Sequence, residues 1–379
     1  MTAEALLDEL ARPDCYPSGV REVHIVQTHL SVVCITDERV FKLKKAVRLP
    51  FVDFTSLAAR RQACRDEVTL NRRLCPDVYL GTAALRRVDG VLRFAAIGDD
   101  ERREDLDVAV VMRRLPQERM LDVLVAEGGV GRNDMSHLAA IVARFHREAE
   151  RGAEVTRIGH PDRLAAFAAA NFAELTAVPE HGLPLRLLDA AREASARAFE
   201  AALPTLRARA DDGRIVDGHG DLHARNVCMT SPPVIYDCIE FEPAFRCGDV
   251  ATEVAFLAMD LRYRRANELA NAFVDAYVEH SGDRELPALL PLLSSYRAMV
   301  RGKVAAFAAA EPEVAPDDRQ RARTSALEHL RLAAACLVEC DRARWIVVCG
   351  PPASGKTGLA SALAYRGRWP HVATDRVRK

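Results

Sequence analysis

The stretch HGDLHARNVCMTSPPVIYD, residues 219–237, indicates the fold and chemistry of the whole chain. It brings Asp221, Asn226 and Asp237 into one short segment, and the apolar run at 234–236 is typical of a strand that ends at Asp237. A carboxylate can orient an attacking hydroxyl and accept its proton. An amide oxygen and a second carboxylate can hold the metal ions that bridge nucleotide phosphates. The three residues therefore predict a phosphoryl-transfer site.

The spacing within this stretch supports phosphoryl transfer but also allows two alternatives, a zinc site and a polar loop with scattered acids. His219, Asp221 and Asn226 have the H-x-D-x-x-x-x-N spacing of a kinase catalytic loop. His219 and His223 are also four residues apart, like the histidines of a zinc-protease helix, but that motif needs a helix and a Glu after the first His. Gly220 follows His219 here, and the segment is a poor helix former. Phosphoryl transfer is favoured over a zinc site and over a polar loop with scattered acids.

The segments HGDLHARNV and YDCIEF resemble the aminoglycoside-phosphotransferase branch of the protein-kinase-like fold, in which the loop reads HGD rather than HRD. They are especially similar to bacterial two-part proteins in which such a domain precedes a P-loop ATP-binding domain. The resemblance implies an α+β, two-lobed fold, with ATP and Mg²⁺ as cofactors and a small-molecule hydroxyl as the acceptor. It does not identify the acceptor, because a shared fold does not imply a shared substrate.

The N-terminal part, residues 1–112, is predicted to be the small β-rich lobe. VHIVQT, SVVCIT and RVFKLKKA have strand character, and Asp89-Gly90 is a hairpin dipeptide between two further strands. A helix is expected from about 56 to 74, with Thr55 or Ser56 as its N-cap. The strand DVAVVM leads into MRRLP, which we interpret as the hinge whose backbone binds adenine beside Met112.

Lys42 ends VFK on the third predicted strand, where a kinase places a lysine on the α- and β-phosphates and a helix glutamate holds it. Glu67 is the predicted partner. Lys44 lies on the same strand face, and Lys42, Lys44 and Lys45 could instead form a solvated basic edge. Lys42 is preferred because it follows the apolar pair Val40-Phe41, as in the resembling family. No glycine-rich loop is present, so residues 28–31 are expected to cover the phosphates.

Residues 113–340 are predicted to be the large helical lobe that carries the catalytic loop. Just after that loop the chain reads Asp-Cys-Ile-Glu where a kinase has Asp-Phe-Gly. Glu240 is therefore interpreted as a second metal ligand, a substrate-facing acid or a solvated strand-end acid. Asp249 stands at a predicted helix start, where it is expected to cap the helix or brace the catalytic loop.

The nature of the acceptor is left open by the charges of this lobe. Arg297, Arg301 and Lys303 could face an anionic substrate or form a solvated helix face. A polycationic aminoglycoside would need a strongly acidic pocket, and EFE at 240–242 is the local hint of one.

The C-terminal end, residues 344–379, is predicted to be the start of a truncated P-loop domain. WIVVC, 345–349, has the character of a buried strand, and GPPASGKT, 350–357, has the G-x-x-x-x-G-K-T spacing and leads into a helix. Gly350 and Gly355 would belong to an anion nest, Lys356 would reach the β- and γ-phosphates, and Thr357 would ligate Mg²⁺.

The last residues, VATDRVRK, resemble the second strand and Asp-x-x-Arg segment of small P-loop kinases, in which Asp375 would meet a substrate hydroxyl. The further parallel strands and Walker B acid that such a core needs do not follow, so a longer two-domain protein is expected.

Composition restricts the choice of partner and compartment. The chain has 379 residues, a formal net charge of −1 and ten cysteines. This balance gives no sign of nucleic-acid binding, and no apolar run approaches the roughly 18 residues of a membrane span. The cysteines form no C-x-x-C pairs, which favours the reducing cytoplasm. Nothing indicates the oligomeric state.

These features predict ATP-dependent transfer of a γ-phosphate to a hydroxyl of a small molecule, with Asp221 as base and with Asn226 and Asp237 on Mg²⁺. The alternative is a nucleotide-binding regulatory module that controls the attached P-loop domain. The complete Asp, Asn and Asp set favours catalysis, whereas the missing glycine-rich loop and altered Asp-Phe-Gly keep the alternative open.

Overall fold

The computed structural model describes residues 3–49, 52–178, 182–311, 314–340, 346–351, 353–367 and 371. Backbone contacts divide the chain into two compact units, Met1–Cys340 and Asp341–Lys379. The strands of the first unit are β1 (His24–Gln27), β2 (Ser31–Ile35), β3 (Arg39–Lys44), β4 (Arg48–Leu49), β5 (Val52–Asp53), β6 (Tyr79–Val88), β7 (Val91–Phe94), β8 (Asp107–Arg113), β9 (Ile215–Asp217), β10 (Val227–Cys228), β11 (Val234–Ile235) and β12 (Cys247–Asp249).

The helices of the same unit occupy most of the chain after the small lobe. They are α1 (Ala3–Leu10), α2 (Leu57–Asn71), α3 (Leu121–Glu127), α4 (Arg132–Glu148), α5 (Ala153–Ile158), α6 (Pro161–Ala177), α7 (Leu185–Asp211), α8 (Pro243–Arg246), α9 (Val250–Tyr263), α10 (Asn267–Ser281), α11 (Leu286–Ala310) and α12 (Pro316–Cys340).

The small lobe is an antiparallel sheet with strand order β1-β2-β3-β8-β6-β7. Side chains alternate between its faces along β3. Phe41 lies in the apolar layer on one face, where its ring centroid is 5.0 Å from that of Tyr16 and 4.6 Å from that of Phe94. Lys42 and Lys44 consequently point to the opposite face, on which α2 packs.

Helix α2 begins where the sequence predicts, because Ser56 accepts a hydrogen bond from the amide of Ala59 at 3.1 Å and caps the helix. Its buried face packs against β6 and β8. The predicted hairpin also forms: Asp89 (φ 51°) and Gly90 (φ 83°) both have the positive φ of a type I′ turn. The sheet thus fixes β3 and α2 against each other.

The large lobe packs its helices around α9, whose residues from Val250 to Leu261 are buried throughout. The long helices α4, α6, α7, α9, α10, α11 and α12 lie within residues 113–340, the part of the chain that is predicted to be the helical lobe. The sequence reasoning missed α5 and α8, which are too short to show a helical period. No described helix is both long and apolar enough to span a lipid bilayer.

The second unit contains one described helix, α13 (Lys356–Gly367), which begins at the predicted lysine. The predicted strand at 345–349 is wrong in its described part, since residues 346–349 form no strand. A strand needs hydrogen bonds from a neighbouring strand, and the described residues of this unit supply no neighbour. Trp345 and Asp375 lie outside the described residues.

Candidate active site

The structure brings Lys42, Glu67 and Asp237 together where the two lobes meet. Lys42 Nζ lies 2.9 Å from Glu67 Oε1 and 2.6 Å from Asp237 Oδ1. Glu67 is fully buried on α2, whereas 43% of the Asp237 side chain is exposed. One ammonium group therefore joins a buried carboxylate to a solvent-accessible one across 195 residues of sequence.

Lys44 repeats this arrangement deeper in the protein. Its Nζ contacts the second oxygen of Glu67 and also Glu240 Oε1. Lys44 is 3% exposed, so the solvated basic edge considered for β3 is wrong. Only 6% of the Glu240 side chain is exposed, so the solvated strand-end acid is wrong as well. Glu240 is a buried ion-pair partner of Lys44. The sequence does not show this pairing, because β3 and the segment after β11 come together only in the folded chain.

Lys42, Lys44 and Glu67 hold one another in their charged forms. Burial opposes the charge of Lys42, but Asp237 and Glu67 outweigh it and raise its pKa well above the ordinary value. Burial likewise opposes the charge of Glu67, yet Lys42 and Lys44 lower its pKa to about 2. For Glu240, burial and the neighbouring Glu67 raise the pKa. The alternating charges fix Lys42 in place.

Asp221 lies in the loop between β9 and β10 together with Asn226. The Asn226 Nδ2 group donates to both Asp221 Oδ2 and the Asp221 carbonyl, each at 3.0 Å, and His223 Nε2 lies 3.2 Å from Asp221 Oδ2. Burial opposes ionisation of Asp221, but His223 and then Arg301 outweigh it and hold its pKa below the ordinary range. This carboxylate is therefore charged at neutral pH.

Glu253 on α9 braces the catalytic loop from below. Its Oε1 accepts hydrogen bonds from the amides of His219 and Gly220, and its Oε2 lies 2.8 Å from His146 Nε2. The closest approach is at Gly218, where a Cβ would lie 2.2 Å from Glu253 Oε1. Burial opposes the charge of Glu253, yet the His146 contact lowers its pKa to about 2.

Asp249 caps α9 as predicted, by accepting from the amide of Ala251 at 2.8 Å. Both its oxygens also accept from Arg209 at 2.8 Å, and no hydrogen bond of its side chain to the catalytic loop occurs among the described residues. The bracing role predicted as its alternative belongs to Glu253, one helical turn further along.

Two oxygens of the site fit a magnesium ion. Asn226 uses its amide nitrogen toward Asp221, and its Oδ1 has no partner among the described residues. Asp237 uses Oδ1 toward Lys42, and Oδ2 is left over. The Tyr236 amide donates to the Asn226 carbonyl at 3.0 Å, which keeps the two ligands adjacent. Mg²⁺ usually takes one or two carboxylates together with substrate phosphates, so this donor set suits it.

The predicted hinge residue Met112 belongs to an apolar surface of the small lobe. It is half-buried on β8 and, like Leu115, Val234 and Tyr236, packs against the apolar cluster on the face that carries α2. The predicted phosphate-covering segment is the tight turn between β1 and β2, in which Thr28 and Ser31 hydrogen-bond each other.

The residues of the predicted P-loop lie in the second unit. Gly355 has a φ of +80° directly before α13. Lys356 Nζ donates to the Pro351 carbonyl at 2.5 Å, and Thr357 is exposed on the first turn. A Cβ at Gly350 would lie 3.0 Å from Ser354 Oγ. The described part offers only the loop and the helix.

Sequence reasoning missed Glu253 and Tyr277, which form a chain with His146 beneath the catalytic loop, with Tyr277 OH 2.8 Å from His146 Nδ1. The available signal was the acid in CGDVATE, where Glu253 stands on a helix whose other residues are nearly all buried. A buried acid needs a partner, and the nearest donors are the loop amides.

Comparison with known proteins agrees with this geometry. Residues 50–291 match the profile of the family described as the phosphotransferase enzyme family. The chain belongs to the phosphotransferase enzyme family. An uncharacterized protein of Mycobacterium tuberculosis is 32% identical over 363 residues, which cover 94% of this chain and 68% of that protein, and one from Mycobacterium bovis matches equally.

Solved structures resemble this phosphotransferase in fold. The GDP complex of aminoglycoside 2′-phosphotransferase-IIIa has a TM-score of 0.50 at 13% identity and covers 84% of this chain and 94% of that one. A choline/ethanolamine kinase family protein from Mesorhizobium loti has 0.50 at 13%, covering 88% and 98%. Amicoumacin kinase with AMP-PNP and Ca²⁺ has 0.50 at 13%, covering 87% and 94%. The predicted two-lobed kinase-like fold is confirmed, and the protein is a kinase-type phosphotransferase.

Proposed function

We propose that this phosphotransferase moves the γ-phosphoryl group of ATP to a hydroxyl of a small molecule, with Asp221 as the base. The observation that carries the proposal is the contact of Lys42 with both Glu67 and Asp237, at 2.9 and 2.6 Å. A kinase uses a strand lysine, a helix glutamate and a metal-binding aspartate in this combination to hold nucleotide phosphates.

The nucleotide would lie between the lobes. Lys42 would contact its α- and β-phosphates, and Glu67 keeps the ammonium in position because it is itself held by Lys44. Asn226 and Asp237 would hold Mg²⁺, which neutralises charge on the phosphates. The half-buried side chains of Met112 and Val234 suit the apolar face of adenine.

Asp221 would orient the acceptor hydroxyl and take its proton. Its low pKa keeps it ionised, and Asn226 fixes one of its oxygens at 3.0 Å. The acceptor oxygen forms a bond to the γ-phosphorus, the bond from that phosphorus to the β–γ bridging oxygen breaks, and ADP leaves with the electron pair. The acceptor proton passes to Asp221 and then to solvent.

The regulatory alternative differs from catalysis in that it needs no catalytic base. A module that only binds nucleotide needs no base, yet Asp221 is ionised and held by Asn226 and His223. Holding a half-buried carboxylate in its charged form brings no benefit to a module that only binds nucleotide, so catalysis is favoured.

The test is to incubate the protein with Mg-ATP and a set of hydroxyl compounds, and to follow both ADP and the phosphate ester by mass spectrometry. We expect at least one compound to give equal amounts of ADP and ester. Tight ATP binding without ester from any hydroxyl compound would instead support the regulatory module.

A further inference from the structure

Asp237 has a backbone conformation that side chains other than glycine adopt infrequently. Its φ is +64°, in the left-handed region. Strand β11 ends at Ile235, so Asp237 lies outside the strand ladder that could otherwise fix its backbone. A residue in this region persists only where its surroundings determine its conformation, and such residues cluster at functional sites. Contacts other than strand pairing must therefore hold Asp237.

Two buried side chains of the small lobe hold the backbone on either side of Asp237. The amide of Asp237 donates to the Tyr79 hydroxyl at 3.2 Å, and the amide of Cys238 donates to Asn71 Oδ1 at 2.9 Å. Tyr79 is fully buried at the start of β6, and Asn71 is 1% exposed at the end of α2. The two amides belong to the peptide groups before and after the Asp237 Cα. Together the hydrogen bonds therefore restrict both φ and ψ of Asp237.

Both acceptor groups are themselves fixed by neighbouring residues. Asn71 Nδ2 donates to the carbonyl of Glu67 at 2.9 Å, so the side-chain amide presents its oxygen to Cys238. The Tyr79 ring belongs to the apolar cluster between α2 and the sheet, which also contains Val68. A hydroxyl and an amide oxygen with few alternative positions can impose a conformation on the backbone that they bind.

Helix α2 thus positions both partners of the ion pair at the proposed nucleotide site. Glu67 contacts Lys42 at 2.9 Å, and Asn71, one turn further along, holds the peptide group that follows Asp237. The contact of Lys42 Nζ with Asp237 Oδ1 at 2.6 Å depends on this backbone. A rotation of the Asp237 backbone would swing the carboxylate away from Lys42 and would displace Oδ2, the proposed magnesium ligand.

We propose that Tyr79 and Asn71 are positioning residues, which set the direction of the Asp237 carboxylate and thereby the affinity of the site for Mg²⁺. This rests on the proposed function, in which Asp237 holds the metal ion. Both side chains are buried beneath the site, so they act through the backbone of Asp237 and not by contact with the metal ion. Metal binding therefore requires the small lobe to keep its hold on this aspartate.

The test measures metal binding apart from catalysis. Mn²⁺ is titrated into the 379-residue chain saturated with AMP-PNP, and free Mn²⁺ is followed by electron paramagnetic resonance. Tyr79→Phe removes one hydroxyl and keeps the ring, so the variant should fold. Its dissociation constant for Mn²⁺ should rise about three- to tenfold, the equivalent of one lost hydrogen bond, because the metal binds only molecules whose carboxylate is correctly aimed. Asn71→Ala should act in the same direction.

Tyr16→Phe is the matched control. Tyr16 is a second buried tyrosine of the small lobe, and its hydroxyl donates to the carbonyl of Leu10 at 2.6 Å in the apolar layer on the opposite face of the sheet. This variant loses a comparable hydrogen bond but should bind Mn²⁺ like the wild type. Adding Tyr79→Phe to Asp237→Ala should weaken Mn²⁺ binding no further than Asp237→Ala alone, because the hydroxyl acts through that carboxylate.

Three results would overturn the inference: unchanged Mn²⁺ affinity in Tyr79→Phe or Asn71→Ala, an equal loss in Tyr16→Phe, or a further loss when Tyr79→Phe is added to Asp237→Ala. Ester formation by the wild type together with unchanged Mn²⁺ affinity in Tyr79→Phe would refute the positioning role and leave the proposed function standing. Tyr79-dependent Mn²⁺ binding without any ATP-dependent ester would refute the proposed function and leave the positioning role standing. Equal Mn²⁺ affinity of Asp237→Ala and the wild type would refute both.

Discussion

Lys44 is expected to stabilise the folded site and Lys42 to bind the nucleotide. Replacing Lys44 with methionine should therefore lower mainly the free energy of unfolding. Lys44 is 3% exposed and contacts two buried carboxylates, Glu67 and Glu240. Glu67 keeps its bond to Lys42 in the variant, but Glu240 loses its only direct cationic partner among the described residues. Removing one member of a buried ion pair costs about 3–5 kcal/mol. We expect the free energy of unfolding to fall by that amount at pH 8.

The loss should depend on pH in a defined direction. Burial and Glu67 already raise the pKa of Glu240, and without Lys44 it rises further. A group whose folded pKa lies above its unfolded pKa stabilises the fold at low pH and loses that contribution as pH rises through the folded value. Lys44→Met should therefore be less destabilising at pH 5 than at pH 8.

Urea unfolding followed by circular dichroism at both pH values measures these differences. Lys42→Met is the matched control. The Lys42 side chain is 15% exposed, and Glu67 keeps its contact with Lys44 in this variant. It should cost about 1–2 kcal/mol while abolishing nucleotide binding. The double variant Lys44→Met/Glu240→Gln should be more stable than Lys44→Met alone. A loss below about 1 kcal/mol at pH 8, as for an exposed pair, or a double variant less stable than the single one, would refute the reasoning.

Three further predictions concern other parts of the site. Lys42→Ala and Glu67→Ala should be non-additive in ATP turnover, since the glutamate acts through the lysine; additive losses in a double-mutant cycle would contradict this. Glu253, with a pKa lowered to about 2 from 4.5, contributes stability above pH 4.5 that is lost toward pH 2, about 3 kcal/mol in all. Unfolding of Glu253→Gln should therefore depend less on pH between 5 and 3 than unfolding of the wild type, and an unchanged pH dependence would argue against the brace. Lys356→Ala should leave the ATP turnover of the 379-residue chain unchanged, because the described part of the second unit offers one loop and one helix; loss of turnover would contradict this.

The fold and the catalytic loop could be predicted because their signals are local. Asp221 and Asn226 are five residues apart and their contact follows from one turn of chain. Ser56 and the Asp89-Gly90 pair mark a helix start and a hairpin by side-chain chemistry and backbone preference alone. The long amphipathic helices follow from their periodicity.

The deeper ion pairs could not be predicted in the same way. Lys44 and Glu240 are 196 residues apart, and nothing in either segment shows that they meet. In the sequence, the choice between Lys42 and Lys44 rests on resemblance to the family, because both lysines share one strand face. In the structure both reach Glu67, and only Lys42 also reaches Asp237. Burial of a charged residue is a tertiary property that a strand pattern does not record.

The predicted C-terminal strand failed for a related reason. The run at 346–349 is apolar enough for a buried strand, but a strand exists only when another strand takes up its hydrogen bonds. The described residues of that unit give it no neighbour. The helix at Lys356 needs no such partner, and it forms where the sequence predicts.

The most direct test of the central claim compares Asp221→Asn with Asp237→Ala in one experiment. Two quantities are measured for both variants: the rate of ester formation, and the dissociation constant of a fluorescent ATP analogue in the presence of Mg²⁺. Under the proposed function Asp221 would act on the acceptor and not on the nucleotide, so Asp221→Asn should abolish ester formation and bind the nucleotide like the wild type. Asp237 contacts Lys42 and, under the proposed function, would hold Mg²⁺, so Asp237→Ala should weaken nucleotide binding. Equal loss of nucleotide binding in both variants, or full activity of Asp221→Asn, would contradict the account.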